Sequence, residues 1–235
     1  MADVGHLTRA FLSEIVHFNQ AVLTMVAPAR RHPAAAARVT TRPVLLIHGI
    51  LCNHSVWNAW LLRLEAAGFG PLHVVDLEPL LADIETHAVR IEQDLRALFR
   101  ESGGHAVNIV AHSMGGLVAR AALRRVGPGM IERIVTIATP HHGSVLARPF
   151  GWQPLRQLCP QSPWLRRLNA CQERDTGTTI TSIYSLEDNL VVPARSAALA
   201  NAQSIELRGM GHLGILFSPE TIDRTLAALA GGMTS

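Results

Sequence analysis

The chain has 235 residues, 48% hydrophobic and 17% charged, with a net charge of +3, which suits one α/β domain with a sizeable core and a small insertion. All 21 basic residues are arginine, scattered in short pairs such as Arg30-Arg31, Arg124-Arg125 and Arg166-Arg167, so the dense basic stripe with interleaved aromatics that nucleic acid demands is missing. The three cysteines, Cys52, Cys159 and Cys171, have no metal-ligand spacing, and Cys159 and Cys171 either pair across a short loop or stay free.

Leu7, Phe11, Ile15, Phe18, Val22 and Val26 recur in steps of three and four, which predicts an amphipathic helix packed on the domain or on a membrane surface. Its longest apolar run, Ala21 to Ala27, is too short to cross a bilayer. Only Arg9 precedes that run among the basic residues, so it reads poorly as a signal peptide. The compartment, secreted or cytoplasmic, stays open. The prolines, alanines and arginines up to residue 42 read as a linker. The division is therefore 1–42 for helix and linker and 43–235 for the main domain.

Pro43 to Ile47 reads as a buried strand, followed by His48-Gly49-Ile50. His48 is read as bracing this turn and His54 as partly exposed. Ser55 to Ala67 is predicted helical and Leu72 to Val75 a strand. Asp83 to Arg100 is predicted as a longer helix, with Ile84, Ala88, Ile91, Leu95 and Leu98 on one side. Val107 to Val118 reads as strand, sharp turn and helix, the turn having the form A-x-S-x-G around Ser113. A serine there projects above the sheet from strained backbone, and its small neighbours let strand and helix nearly touch.

Ile131 to Ile137 is the next predicted strand. Adjacent His141 and His142 point apart on an extended loop with no carboxylate or thiolate at ligand spacing, so no metal is expected. Residues 145–178 break the strand–helix alternation with four prolines and with Trp152, Leu155, Leu158, Trp164, Leu165 and Leu168. This stretch reads as a cap-like insertion, with Trp152 and Leu158 as candidates to meet an apolar substrate. Strands are predicted at Thr179 to Ser185 and Gln203 to Leu207, followed by Asp188 and His212 in loops. Ser218 and Pro219 open a last helix. The alternation predicts a mostly parallel sheet flanked by helices. The order Ser113, Asp188, His212 places all three beyond strand ends, where such sheets carry their sites.

Pro43–Ile50, Asp76, Asn108–Gly116, Thr181–Ser185 with Asp188, and above all Gly209–Phe217 (GMGHLGILF) resemble the bacterial lipases of the α/β-hydrolase superfamily, most nearly the small Bacillus-type lipases with their Ala-first elbow. The resemblance implies the α/β-hydrolase fold. It also implies Ser113 as nucleophile, Asp188 as acid and His212 as base, with the Ile50 and Met114 N–H groups as oxyanion hole. It runs from about Pro43 to Leu229. The first 42 residues and the longer insertion depart from it.

The expected function is a serine carboxylic-ester hydrolase, lipase or esterase, acting on ester or lipid substrates through an acyl-enzyme and needing no cofactor or metal. The same triad also serves acyltransferases and polyester depolymerases, and an idle hydrolase fold serves as a binding or membrane-surface module. Acyl chain length and oligomeric state are not written in the sequence.

Overall fold

The structure is a computed structural model and describes residues 42–171 and 177–232. The expected N-terminal amphipathic helix lies outside the described residues. Six strands form one parallel sheet: β1 (Val44–Ile47), β2 (Leu72–Val75), β3 (Val107–His112), β4 (Ile131–Ile137), β5 (Thr179–Ser185) and β6 (Gln203–Leu207). Their order across the sheet is β2-β1-β3-β4-β5-β6, with every neighbouring pair parallel. All strand C-termini therefore open on one end of the molecule.

The strand sequences build both layers of core at once, because successive side chains point to opposite faces. Leu45, Ile47, Ile109 and Ile134 join one apolar cluster, and Val44, Leu46, Val110 and Val135 join the other. Helix α1 (Asn58–Ala66) buries Trp60 and Leu64 on the second face. It follows a 3-10 turn, His54–Trp57, where the sequence predicts continuous helix. Helix α2 (Ile84–Glu101) buries Ile84, Ala88, Ile91, Leu95 and Leu98 on the first face. Asp83 is its cap rather than its first residue, accepting from the Thr86 N–H at 2.9 Å. Helix α3 (Met114–Val126) follows β3 directly and is buried along most of its length.

The insertion forms a 3-10 turn (Val145–Ala147) and two short helices, α4 (Leu155–Leu158) and α5 (Pro163–Ala170). Ser162 caps α5 by accepting from the Leu165 N–H at 3.1 Å, ahead of Pro163. Leu158, Trp164, Leu165 and Leu168 are buried in the cluster that holds α2 and α3. Cys159 and Cys171 are free, as is Cys52. Helix α6 (Pro219–Leu229) starts where Ser218 and Pro219 predict, although the Ser218 side chain accepts no helix N–H.

Candidate active site

Ser113 sits between β3 and α3 with φ 53° and ψ −127°, a left-handed backbone that a non-glycine residue adopts only at a cost. Its N–H donates to the Ile137 carbonyl at 2.8 Å, which ties the strained residue to β4. The turn is closed by contact with β1. A Cβ on Gly115 would lie 2.5 Å from the His48 carbonyl oxygen and 2.6 Å from that of Ile47. A Cβ on Gly49 would lie 2.8 Å from the Ser113 Cβ. Glycine at both positions is what lets the two turns touch.

The structure brings Ser113, His212 and Asp188 together, all less than a tenth exposed. Ser113 Oγ lies 2.9 Å from His212 Nε2. His212 Nδ1 lies 2.9 Å from Asp188 Oδ2 and 3.1 Å from Oδ1. A carboxylate can only accept, so Nδ1 carries the proton and Nε2 offers its lone pair to the serine hydroxyl. Asp188 Oδ1 also accepts from the Leu190 and Val191 N–H groups, each at 2.8 Å. Burial pushes the Asp188 carboxyl up, but His212 beside it and these backbone donors outweigh burial and hold it below its ordinary range.

The His48-Gly49-Ile50 turn faces the serine through Gly49. His48 is buried, with Nδ1 2.7 Å from the Gly49 carbonyl and Nε2 accepting from the Leu77 N–H at 3.1 Å, so it braces the turn. The chain then reverses through Leu51, at φ 59°, and the Cys52 N–H donates to the Gly49 carbonyl at 3.3 Å. Among the described residues no protein acceptor takes the Ile50 or the Met114 N–H. His54 binds Asp76 twice, from N–H to Oδ1 at 2.7 Å and from Nδ1 to Oδ2 at 2.8 Å, joining the end of β2 to this loop.

A family model described as "Domain of unknown function (DUF7379)" matches residues 12–186, well over half of the chain. The chain belongs to that family. The match takes in Ser113 and ends before Asp188 and His212. The fold is the α/β-hydrolase fold of lipases. The mature Bacillus licheniformis lipase BlEst2 matches with a TM-score of 0.68 and 19% identity, over 86% of this chain and 96% of that one. A triacylglycerol lipase of Burkholderia plantarii is 30% identical over 134 residues, 53% of this chain and 37% of the lipase. A triacylglycerol lipase of Pseudomonas fragi is 29% identical over 115 residues, 46% of this chain and 38% of the lipase. The matched stretch is thus less than two fifths of either curated relative.

Within this α/β-hydrolase fold, three polar groups hold the histidine loop that sequence reasoning did not single out. Asn189 Oδ1 accepts from the His212 N–H at 3.0 Å, and Glu187 Oε2 accepts from the Gly209 N–H at 2.8 Å. Their signal was only adjacency to Asp188. His112 is fully buried, its Nε2 3.1 Å from the His212 carbonyl and its ring centroid 4.9 Å from that of His212. Burial first, and then the nearby His212, pushes the His112 pKa down to about 3. It is therefore neutral, with Nε2–H donating and Nδ1 left without a hydrogen-bond partner.

The two candidate substrate residues separate. Leu158 is buried in the cluster that contains Met114 and against which Ile50 packs. Trp152 is 44% exposed and meets Phe150 edge to face, ring centroids 6.2 Å apart. His141 is engaged by protein on both ring nitrogens: Nδ1 accepts from Arg120 at 3.2 Å and Nε2 lies 3.0 Å from Thr136 Oγ1. Among the described residues no cluster of three or more His, Cys, Asp or Glu could hold a metal ion.

Proposed function

We propose that the chain is a serine carboxylic-ester hydrolase, a lipase or esterase. The carrying observation is the continuous hydrogen-bonded relay from Ser113 Oγ through the His212 ring to Asp188. Ser113 Oγ attacks the ester carbonyl as His212 Nε2 takes its proton. Asp188 holds the ring in the required tautomer and stabilises the imidazolium. The Ile50 and Met114 N–H groups receive the oxyanion, and the start of α3 adds its positive dipole end. His212 then protonates the departing alcohol, and water activated by the same ring releases the acid from Ser113. Leu158 and Trp152 are assigned to the acyl side of the substrate. The lipase neighbours support an ester as substrate class.

The test is a panel of p-nitrophenyl esters from acetate to long chains, with fluorophosphonate labelling mapped by mass spectrometry. Ester turnover with label on Ser113 is expected, and Ser113→Ala should remove both while the melting temperature holds. Activity should survive excess EDTA. More than a few per cent residual turnover in Ser113→Ala would move the nucleophile elsewhere.

A further inference from the structure

Eight large apolar side chains are exposed among the described residues. Leu62 and Val89 lie on α1 and α2. The other six lie in loops that leave the C-terminal ends of strands, the end of the sheet that carries Ser113. Four of these, Leu146, Phe150, Trp152 and Leu190, belong to the insertion and to the loop that carries Asp188. Those two segments are fastened together: Ser144 Oγ donates to the Leu190 carbonyl at 2.7 Å, and the Val145 N–H donates to the Val192 carbonyl at 2.8 Å. The Leu190 N–H in turn donates to Asp188. The apolar face is thus continuous with the frame of the candidate site.

Its charge is one-sided. From residue 133 to 172 the sequence contains no Asp or Glu. Arg148 and Arg156 are exposed on either side of Phe150 and Trp152 in sequence, and neither makes an ion pair among the described residues. The loop between β2 and α2 carries exposed Glu78 beside exposed Leu81, and Glu173 and Asp175 follow later in the insertion, so the cationic character belongs to residues 146–156.

We propose that the face formed by residues 146–156 and Leu190 of the Asp188 loop docks the molecule on an anionic phospholipid surface. Exposed tryptophan and phenylalanine with leucines suit the headgroup–acyl boundary, and arginine among them suits anionic headgroups. A symmetric pairing of two copies through Leu146, Phe150 and Trp152 would bring Arg148 and Arg156 of one copy toward those of the other, a like-charge cost. The inference goes beyond the ester-hydrolase reading and does not depend on it, because docking needs no chemistry at Ser113. If both hold, the docked face delivers lipid esters to the end of the sheet that carries the serine.

The experiment is co-sedimentation of the full chain carrying Ser113→Ala with vesicles of phosphatidylcholine, or of phosphatidylcholine with about a third phosphatidylglycerol. Binding should be about tenfold or more stronger to the anionic vesicles and should fall as salt is raised. Arg148→Gln with Arg156→Gln should remove most of that preference. Leu146→Ser with Phe150→Ser should weaken binding to both vesicle types by about tenfold. Melting temperatures check that each variant is folded. Equal binding to both vesicles, or double variants that bind like the parent, would overturn the proposal, the second result placing contact elsewhere in the chain. A concentration-dependent dimer abolished by Leu146→Ser with Phe150→Ser would overturn it in favour of a second copy. Vesicle binding with no ester turnover in the parent would leave docking standing and remove only the hydrolase reading.

Discussion

His212 is held by Asp188 on Nδ1, Ser113 on Nε2, Asn189 on its N–H and His112 on its carbonyl. Each grip has a distinct expected signature. Asp188→Asn exchanges an obligate acceptor for an amide that offers a donor to Nδ1–H, so kcat should drop by about three to four orders of magnitude. Glu187→Gln keeps an oxygen acceptor for the Gly209 N–H and should change kcat little. The reverse ranking in steady-state kinetics would move the acid to Glu187. His112→Phe keeps the ring volume but leaves the His212 carbonyl without its donor, a loss of about 1–3 kcal/mol when the group stays buried. The expected result is a kcat about ten- to a hundredfold lower with KM nearly unchanged, and partial recovery in His112→Gln, whose amide N–H can donate again. Equal activity in Phe and Gln variants would mean that the ring only fills space.

At the scale of elements, α3 does more than present Ser113. Arg120 lies in its middle, 3% exposed, and donates to His141 Nδ1 in the loop after β4 and, at 2.8 Å, to Asn169 Oδ1 on α5. Asn169 Nδ2 donates back to the His141 carbonyl at 3.1 Å. The insertion is thereby fastened to the helix that follows Ser113. Burial lowers the Arg120 pKa to about 10, so the guanidinium stays charged and depends on its acceptors. His141→Leu removes one of them and should destabilise the fold by about 2 kcal/mol or more. The double variant with Arg120→Met should cost less than the sum of the singles, because the charge leaves with its acceptor. Urea unfolding of the four proteins checks this, and strict additivity would show that the two residues do not act as a pair. None of this network could be read from the sequence, where His141-His142 offered only a metal question. The strands and α2 could be read, because their burial follows periods of two and of three to four. The elbow and the Gly49 turn were legible too, since close approach restricts those positions to small residues. The insertion was legible only as apolar. Which of its side chains face the core depends on helices distant in sequence, α2 and α3, so Trp164 and Leu168 could not be told from Trp152.

Over the whole molecule, the cores on both faces of the sheet leave buried histidines with little to stabilise a charge. His87 on α2 is 1% exposed and neither ring nitrogen has a hydrogen-bond partner. Burial lowers its pKa despite the opposing pull of Asp83. Burial likewise pushes His112 down to about 3 and His141 well below its ordinary range. All three bind a proton less readily in the folded chain than in the unfolded chain, where histidine titrates near 6.5. Above about pH 7 this difference is absent. As pH falls through 6.5 the unfolded state gains protons that the folded state refuses, so stability drops by up to about 1.4 kcal/mol per pH unit for each such histidine. For His112 the loss continues to about pH 3. Asp188, held below the ordinary carboxylate range, adds its own loss only at more acidic pH. His87 is the place to isolate this effect, because it lies on α2 with buried Ile84, Ala88 and Ile91 and neither of its ring nitrogens bonds to the Ser113–His212–Asp188 relay. His87→Leu should stabilise the protein at about pH 7.5, since it removes two unpaired ring nitrogens from the core at about 1–3 kcal/mol for an unsatisfied group. At about pH 5 the gain should be larger, since the unfolded parent binds a proton there that its folded state binds less readily, and the variant has no such proton. Urea denaturation at the two pH values measures the difference directly. An identical gain at both would mean that His87 takes up its proton as readily in the folded state as in the unfolded one, and the lowered proton affinity that burial gives it would be wrong.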